Sequence, residues 1–309
     1  MDLRRGWWTP PLGPLEAYRL EAGQIEGLGL QAMVSLTDHD DIEAPMSLQS
    51  VETGGSIPIS VEWTVPWQGT FVHLGVHNLP PRLARGIMCE LRAFRIRPTP
   101  KELPPLLRWL HEMPGVLVVF NHPLWDEMGV GRERHTAACA TLLERGRGCL
   151  HAIELNGLRP PGENDQARQL AEALGLPAIS GGDRHGFEPN ANVNLTAAAT
   201  FGEFVEEVRD GYSEVLMMPQ SRVNHKRRIL RHVMDILGPV EGHPWGWREW
   251  QDRVFYESAT GEIRSLGSWW VDGPPAPVRF FETSMRLLQT ARTWSANPGL
   301  RRRSQTASA

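Results

Sequence analysis

Apolar positions along this chain of 309 residues follow two alternating rhythms. Short apolar runs at 32–37, 57–61, 71–76, 152–155, 177–180 and 214–218 have the length and bounding residues of strands. The run Val116-Leu117-Val118-Val119-Phe120 is the plainest, apolar throughout and mostly β-branched, as a strand covered on both faces should be. Between these runs the apolar residues recur at helical spacing, in 14–29 (Leu15, Tyr18, Ile25, Leu28), 132–146, 163–174 and 201–209. Thr99-Pro100-Lys101-Glu102 reads as a helix start, with a Thr cap, Pro at the first position and Glu three residues after the cap. Pro114-Gly115 should end that helix near Met113. Strands alternating with helices predict an α/β fold around a mainly parallel sheet, open or closed.

After Pro219 the rhythm changes. Residues 222–237 predict a basic amphipathic helix and 279–293 another. Between them lies a stretch rich in Trp, Gly and Pro, with Trp245, Trp247, Trp250, Trp269 and Trp270. Arg301 to Ala309 is polar and expected to fray. The chain therefore divides into a domain over 1–220 and a basic, Trp-rich extension over 221–309, the tryptophans being expected to pack the extension down. There is no internal repeat.

Charge follows the same division. The net charge of -4 combines 18 basic and 28 acidic residues in 1–220 with 14 basic and 8 acidic in 221–309. An acidic domain suits a cation site and disfavours strong nucleic-acid binding. The basic helix keeps nucleic acid as a less favoured partner. Cys89, Cys139 and Cys149 have no tight spacing and read as free thiols of a reducing compartment, so a cytoplasmic location is expected. No run of 18 or more apolar residues predicts a membrane helix, and Met1 to Pro10 lacks the apolar core of a signal peptide.

Metal-capable side chains gather where the predicted strands end. Asp38-His39-Asp40-Asp41 follows the first run, Glu62 the second, and Asn121-His122-Pro123 the run 116–120. His73 lies inside 71–76, with His77 just after it, and Gly181-Gly182-Asp183-Arg184-His185 follows 177–180. In a parallel barrel such ends meet on one face. Imidazole and carboxylate donors together suit Zn, Mn or Fe better than Mg or Ca. A carboxylate bridging two such ions, and water activated between them, is the chemistry of phosphoester hydrolysis. Asp38, Asp40 and Asn121 sit where they could orient the histidines. Any one of these pieces could instead be a polar turn. His111, His135, His151, His225, His232 and His243 are read as structural or exposed.

The ordered set resembles the PHP (polymerase and histidinol phosphatase) family. Thr37-Asp38-His39-Asp40 resembles its TDHD motif and Val61-Glu62 its GxE strand end. Val72-His73-Leu74-Gly75 resembles HLLG, Asn121-His122-Pro123 AHP, Ile153-Glu154-Leu155-Asn156 xEVxN, and Gly182-Asp183-Arg184-His185 GSDAH. The resemblance covers about residues 12–190. It implies a distorted (β/α)7 TIM-like barrel, a metal-dependent phosphoesterase activity on a small phosphorylated substrate, and up to three divalent ions. His39 and His185 would serve one ion. Glu62 would bridge to a second held with His73 and His122, and Asp183 would serve a third, with Glu154 nearby. Arg184, in place of the family's Ala, would contact a phosphate oxygen or pair with an acid such as Glu188.

The family opens with a strand ending in His-x-His, whereas the first histidine here is His39. The expectation is a barrel with its first strand missing or truncated and fewer than three metals. The chain would then begin downstream of its natural start or belong to a degenerate member that binds metal or ligand without turnover. A nuclease of the same fold is a further alternative. An amidohydrolase barrel would want His-x-His as well, and in many members a strand-end lysine. Lys101 and Lys226, the two lysines present, are not at predicted strand ends.

Overall fold

The structure, a computed structural model, describes residues 3–51, 57–270 and 273–296. In chain order the elements are β1 (Leu3–Trp8), α1 (Pro14–Glu26), β2 (Thr37–His39), α2 (Glu43–Val51), β3 (Ile59–Trp67), β4 (Thr70–Leu79), α3 (Ala84–Ile96), α4 (Leu103–His111), β5 (Leu117–Asn121), α5 (Arg132–Arg145), β6 (Ala152–Asn156), α6 (Pro161–Leu174) and β7 (Ala178–Gly181). After these come β8 (Asn192–Leu195), α7 (Phe201–Arg209), β9 (Glu214–Met217), α8 (His225–Leu237), β10 (Val254–Ser258), β11 (Ile263–Ser265) and α9 (Ala276–Ala296). Two compact units result. The larger takes 14–184 and 189–225; the smaller takes Met1–Gly13, His185–Glu188 and Lys226–Ala309. The smaller unit thus combines the extension with the start of the chain and a four-residue loop, a grouping that a single cut at 220 does not capture.

The larger unit is built on a six-stranded sheet in the order β2-β3-β4-β5-β6-β7, curled as a half-barrel. The expectation of a mainly parallel sheet needs correction at β4, which runs antiparallel to both β3 and β5; the other three pairings are parallel. The cause is local. Gln68 (φ 48) and Gly69 (φ 79) form a two-residue turn with both φ positive, which reverses the chain and matches strand twist. β3 and β4 are therefore the arms of one hairpin, longer than the runs 57–61 and 71–76 suggest. Residues 32–36 are not a strand; only Thr37–His39 pairs, with Ser60 to Glu62. The helix expected from Thr99 begins at Leu103, with no side-chain cap.

Alternation along these strands separates two chemistries. Val61, Trp63, Val65 and Trp67 of β3, Leu74 and Val76 of β4, Val118 and Phe120 of β5, and Ile153 of β6 form one buried face. Against it pack Ile87, Leu91 and Phe94 of α3, Leu103, Leu107 and Leu110 of α4, and Leu142 of α5. The indole N–H groups of Trp63 and Trp67 donate to the carbonyls of Leu91 and Ala138, each at 3.1 Å, so neither ring is buried with an unmet donor. The opposite face carries Glu62, Thr64, His73, Gly75, His77, Asn121, Glu154 and Asn156. Register places Glu62 across from Gly75, Thr64 across from His73, and His73 across from Asn121. Farther along this face, Leu117, Val119, Ala152 and Ile179 pack on Phe201, Phe204, Val205 and Val208 of α7 or its start. β8 and β9 form a separate antiparallel pair.

In the smaller unit β1, β10 and β11 form an antiparallel sheet with β1 at an edge. Leu3–Trp8 is thus a strand, but a partner of β10 and not a member of the six-stranded sheet. Trp7 stacks on Phe255 at 5.7 Å between centroids, Trp247 meets Phe255 edge-on at 4.8 Å, and Tyr256 meets Trp269 at 4.1 Å. Arg253 is fully buried and donates to the carbonyls of Ile236, Gly238, Trp247 and Arg248. It satisfies the open C-terminal carbonyls of α8. The frayed end expected at 301–309 lies outside the described residues. Among the described residues, no helix is long and apolar enough to cross a membrane.

Candidate metal centre

Glu62 is the hub of the polar face. Its Oε1 lies 3.0 Å from His122 Nε2 and 3.6 Å from His73 Nδ1, and its Oε2 lies 3.8 Å from His39 Nε2. His73 Nδ1 is 3.3 Å from His122 Nε2. Asn121 Nδ2 donates to Glu62 Oε1 at 3.1 Å, so Asn121 holds the carboxylate and not a histidine. One ligand atom from each of His39, Glu62 and His73 falls within 4.8 Å of the others. Tetrahedral coordination at the usual 2.0–2.2 Å bonds sets donors about 3.4 Å apart. His39, Glu62 and His73 could hold a single divalent cation, and His122 adjoins that group through Glu62 and His73.

These residues come together for reasons set by the backbone. β4 is reversed, so His73 near its start sits level with the middle of β3. Gly75, across from Glu62, leaves the space that His77 and Asn121 occupy; a Cβ there would fall 2.7 Å from His77 Nε2 and 2.8 Å from Asn121 Oδ1. His122 (φ 25), Asp183 (φ 47) and Asp40 (φ 54) adopt positive φ, uncommon for residues with a Cβ and a frequent mark of functional loops.

A second carboxylate layer adjoins the first. Glu154 Oε2 accepts from the backbone N–H of His122 at 2.7 Å and from Asn156 Nδ2 at 3.2 Å. The same Asn156 nitrogen lies 3.2 Å from Asp183 Oδ2. Gly181 makes room for Glu154, whose Oε1 lies 1.6 Å from where a Cβ at 181 would be.

Burial and mutual charge tune the cluster. Burial alone would raise the Glu62 pKa, but the hydrogen bond and charge of His122, with the charges of His39 and His73, hold it well below the usual carboxylate range. Burial opposes a charge on His122 too, yet its bond to Glu62 and the nearby Glu62, Glu154 and Asp183 carboxylates push it up to about 10. Burial takes His73 down to about 3 and His77 to about 4, and lifts Glu154 to about 7. Mutual charge thus favours the charged forms of His122 and Glu62, while burial favours the neutral form of His73.

The other expected site residues lie as follows. Asp40 accepts from the Thr64 N–H at 2.9 Å and pairs with Arg95 at 3.2 Å, fastening its loop to β3 and α3 instead of orienting a histidine. Asp38 pairs with Val61 through the backbone and bridges to Asp41. Arg184 forms an ion pair with Glu21 and contacts Gln24. The suggested partner Glu188 is instead held by Arg228 and Arg231 in the smaller unit. His185 belongs to the smaller unit, its ring near Trp8 (6.2 Å) and His232 (5.6 Å). His77 is bonded to Ser35 at 3.0 Å. His151 accepts from the Val118 N–H and therefore donates through Nε2 to His111 at 2.9 Å, a structural pair. Sequence reasoning missed Glu127, whose Oε2 lies 3.5 Å from His73 Nε2. It sits in an irregular loop where no periodicity marks it. Asn156 has no donor chemistry to mark it in the sequence, and its part shows only in the contacts of its amide with Glu154 and Asp183.

No family model matches the chain, and no curated protein matches it. Among solved structures it is similar to an amidohydrolase from Chromobacterium violaceum with bound sulfate and no metal. That pair shares 17% identity at a TM-score of 0.40, over 72% of this chain and 93% of the other. It is also similar to a Bifidobacterium adolescentis protein assigned as a metal-dependent phosphoesterase, at 18% identity and a TM-score of 0.38, over 65% and 91% of the two chains. At this level of similarity, those proteins' activities remain theirs.

Proposed function

We propose that this chain is a metal-dependent hydrolase of the phosphoesterase type, acting on a small phosphorylated substrate. The observation that supports it is the convergence of His39, His73 and His122 on the single carboxylate of Glu62. These four side chains would hold a divalent cation, of the Zn, Mn or Fe class by donor type. When bound, such an ion polarises a phosphoryl oxygen and makes water a nucleophile near neutral pH. Asn121 fixes the Glu62 carboxylate, and the His122 backbone is fixed by Glu154. Asp183, tied to the centre through Asn156, is the proposed donor to a further ion. His185 enters the proposal only through its motif. Arg184 is engaged by Glu21, and no phosphate contact is assigned to it.

The test combines metal analysis of the purified protein by mass spectrometry with a screen of phosphomonoesters and phosphodiesters, before and after chelation. Bound Zn, Mn or Fe with turnover that chelation abolishes is the expected result. Bound metal with no turnover on any ester would favour a binding domain over an enzyme. Turnover of nucleic acid in preference to small esters would favour a nuclease. A protein that neither carries nor takes up a divalent ion would overturn the proposal.

A further inference from the structure

The proposed cation cluster uses one edge of the His73 ring, and the opposite edge faces a residue outside every motif above. Nδ1 points into the cluster, 3.6 Å from Glu62 Oε1 and 3.3 Å from His122 Nε2. Nε2 points outward, 3.5 Å from Oε2 of Glu127. A neutral imidazole binds a cation through the nitrogen without a proton, so the proton must reside on the other one. A carboxylate opposite that second nitrogen fixes both tautomer and ring orientation.

We propose that Glu127 is a positioning residue for His73, keeping the ring proton on Nε2 so that Nδ1 is the nitrogen offered to a divalent cation. The inference rests on the metal-hydrolase reading of the same centre.

The loop bearing Glu127 is built to hold it there. Trp125 N–H donates to the His122 carbonyl at 2.9 Å, so the loop turns directly off the strand end that carries His122. Asp126 closes the far side, its carboxylate accepting from the N–H groups of Val130 (3.1 Å) and Gly131 (2.8 Å). The Arg159 guanidinium covers the Trp125 ring at 3.7 Å and is itself held by Glu163 at 2.7 Å. Glu127 thus directly follows two anchored residues, Trp125 and Asp126, while its own side chain is 49% exposed. Water competes for an exposed carboxylate, so its loss should tune affinity without unfolding the protein.

The experiment uses the full chain, freed of metal by chelation and labelled with ¹⁵N-histidine. Long-range ¹H–¹⁵N spectra read the His73 tautomer, with His73→Asn for assignment, and Zn²⁺ alone is titrated in competition with a chromophoric chelator. Wild type should carry the His73 proton on Nε2. E127A should lose that tautomer preference and bind Zn²⁺ about 10- to 100-fold more weakly, the usual effect of removing an outer partner of a ligand. E127Q, which keeps an acceptor oxygen, should recover part of both. An unchanged tautomer in E127A overturns the proposal, and if Zn²⁺ binding nevertheless weakens, Glu127 acts on the cation through its charge and not through the His73 proton. If wild type binds no Zn²⁺, the metal-hydrolase reading fails by itself, while the metal-free spectra still decide what Glu127 does to His73.

Discussion

Glu62 sits where burial would ordinarily favour a protonated carboxyl, yet three imidazoles and the Asn121 amide surround it and keep it charged. A group held ionised in this way is suited to meet a cation. Each histidine, by contrast, supplies one donor. Glu62→Gln keeps the shape and removes the charge, so it should cost more than tenfold in Zn²⁺ affinity, upwards of about 1.4 kcal/mol, and more than His122→Ala does. Isotherms for the two variants check the order; unchanged binding in both would remove the cluster from consideration. His122 allows a second measurement. Its pKa, raised to about 10 by Glu62 despite burial, leaves it protonated at pH 7, and a ligating imidazole must lose that proton. Zn²⁺ binding at pH 7 should therefore release about one proton from this residue. Calorimetry in buffers of different ionisation enthalpy reads that number, and His122→Ala should reduce it. Wild-type binding without proton release would separate His122 from the cation.

At the scale of elements, the polar face depends on small residues at its crossings. Gly181→Ala would drive a methyl into the Glu154 carboxylate, which is buried and bonded to the His122 backbone. Overpacking of this kind typically costs about 1–3 kcal/mol. It should lower the thermal midpoint and weaken Zn²⁺ binding together, because the His122 loop moves with Glu154. A variant as stable as wild type, with unaltered binding, would show that Glu154 does not hold that loop. These crossings also explain what was legible in the sequence. Val116 to Phe120 announced β5 because burial on both faces leaves a continuous apolar run, and α7 matched its expected bounds, 201–209, because its apolar stripe is regular. That His39, Glu62, His73 and His122 would come together was legible because each follows or interrupts an apolar run. The reversal of β4 was not: two residues, Gln68 and Gly69, decide it, and an antiparallel hairpin has the same alternation as two parallel strands. Glu127 was hidden for a related reason, since a loop carries no period to mark which side chain turns inward.

For the whole molecule, the opposite charges of 1–220 and 221–309 raised the question of where the basic residues of the extension go. Within the smaller unit, Arg228 and Arg231 close on Glu188, and Arg253 on backbone carbonyls, in keeping with pairing inside the fold. Titration provides the wider test. Burial lowers His73 to about 3, His77 to about 4 and His151 to about 3, all from 6.5. Each therefore takes up a proton in the unfolded chain that the folded chain refuses, so stability falls as pH drops below about 6.5. Glu154, raised by burial from 4.5 to about 7, acts the other way between those values: the folded chain keeps a proton the unfolded one gives up, and stability falls as pH rises. Three groups against one leave a net difference approaching two protons near pH 5.5, a slope on the order of 2 kcal/mol per pH unit. On the alkaline side, His122 has a folded pKa above its unfolded 6.5. Its contribution is complete below 6.5 and fades as pH rises toward about 10. The metal-free protein should accordingly be most stable close to pH 6.5–7, falling steeply toward acid and more gently toward alkali. Thermal or urea unfolding of chelated protein from pH 4 to 10 measures that curve, and saturating Zn²⁺ should lift its neutral and alkaline part most, where the ligating imidazoles lose their protons most easily. A curve flat between pH 7 and 5 would mean that these histidines titrate normally in the fold, and the buried polar face described above would have to be open to water.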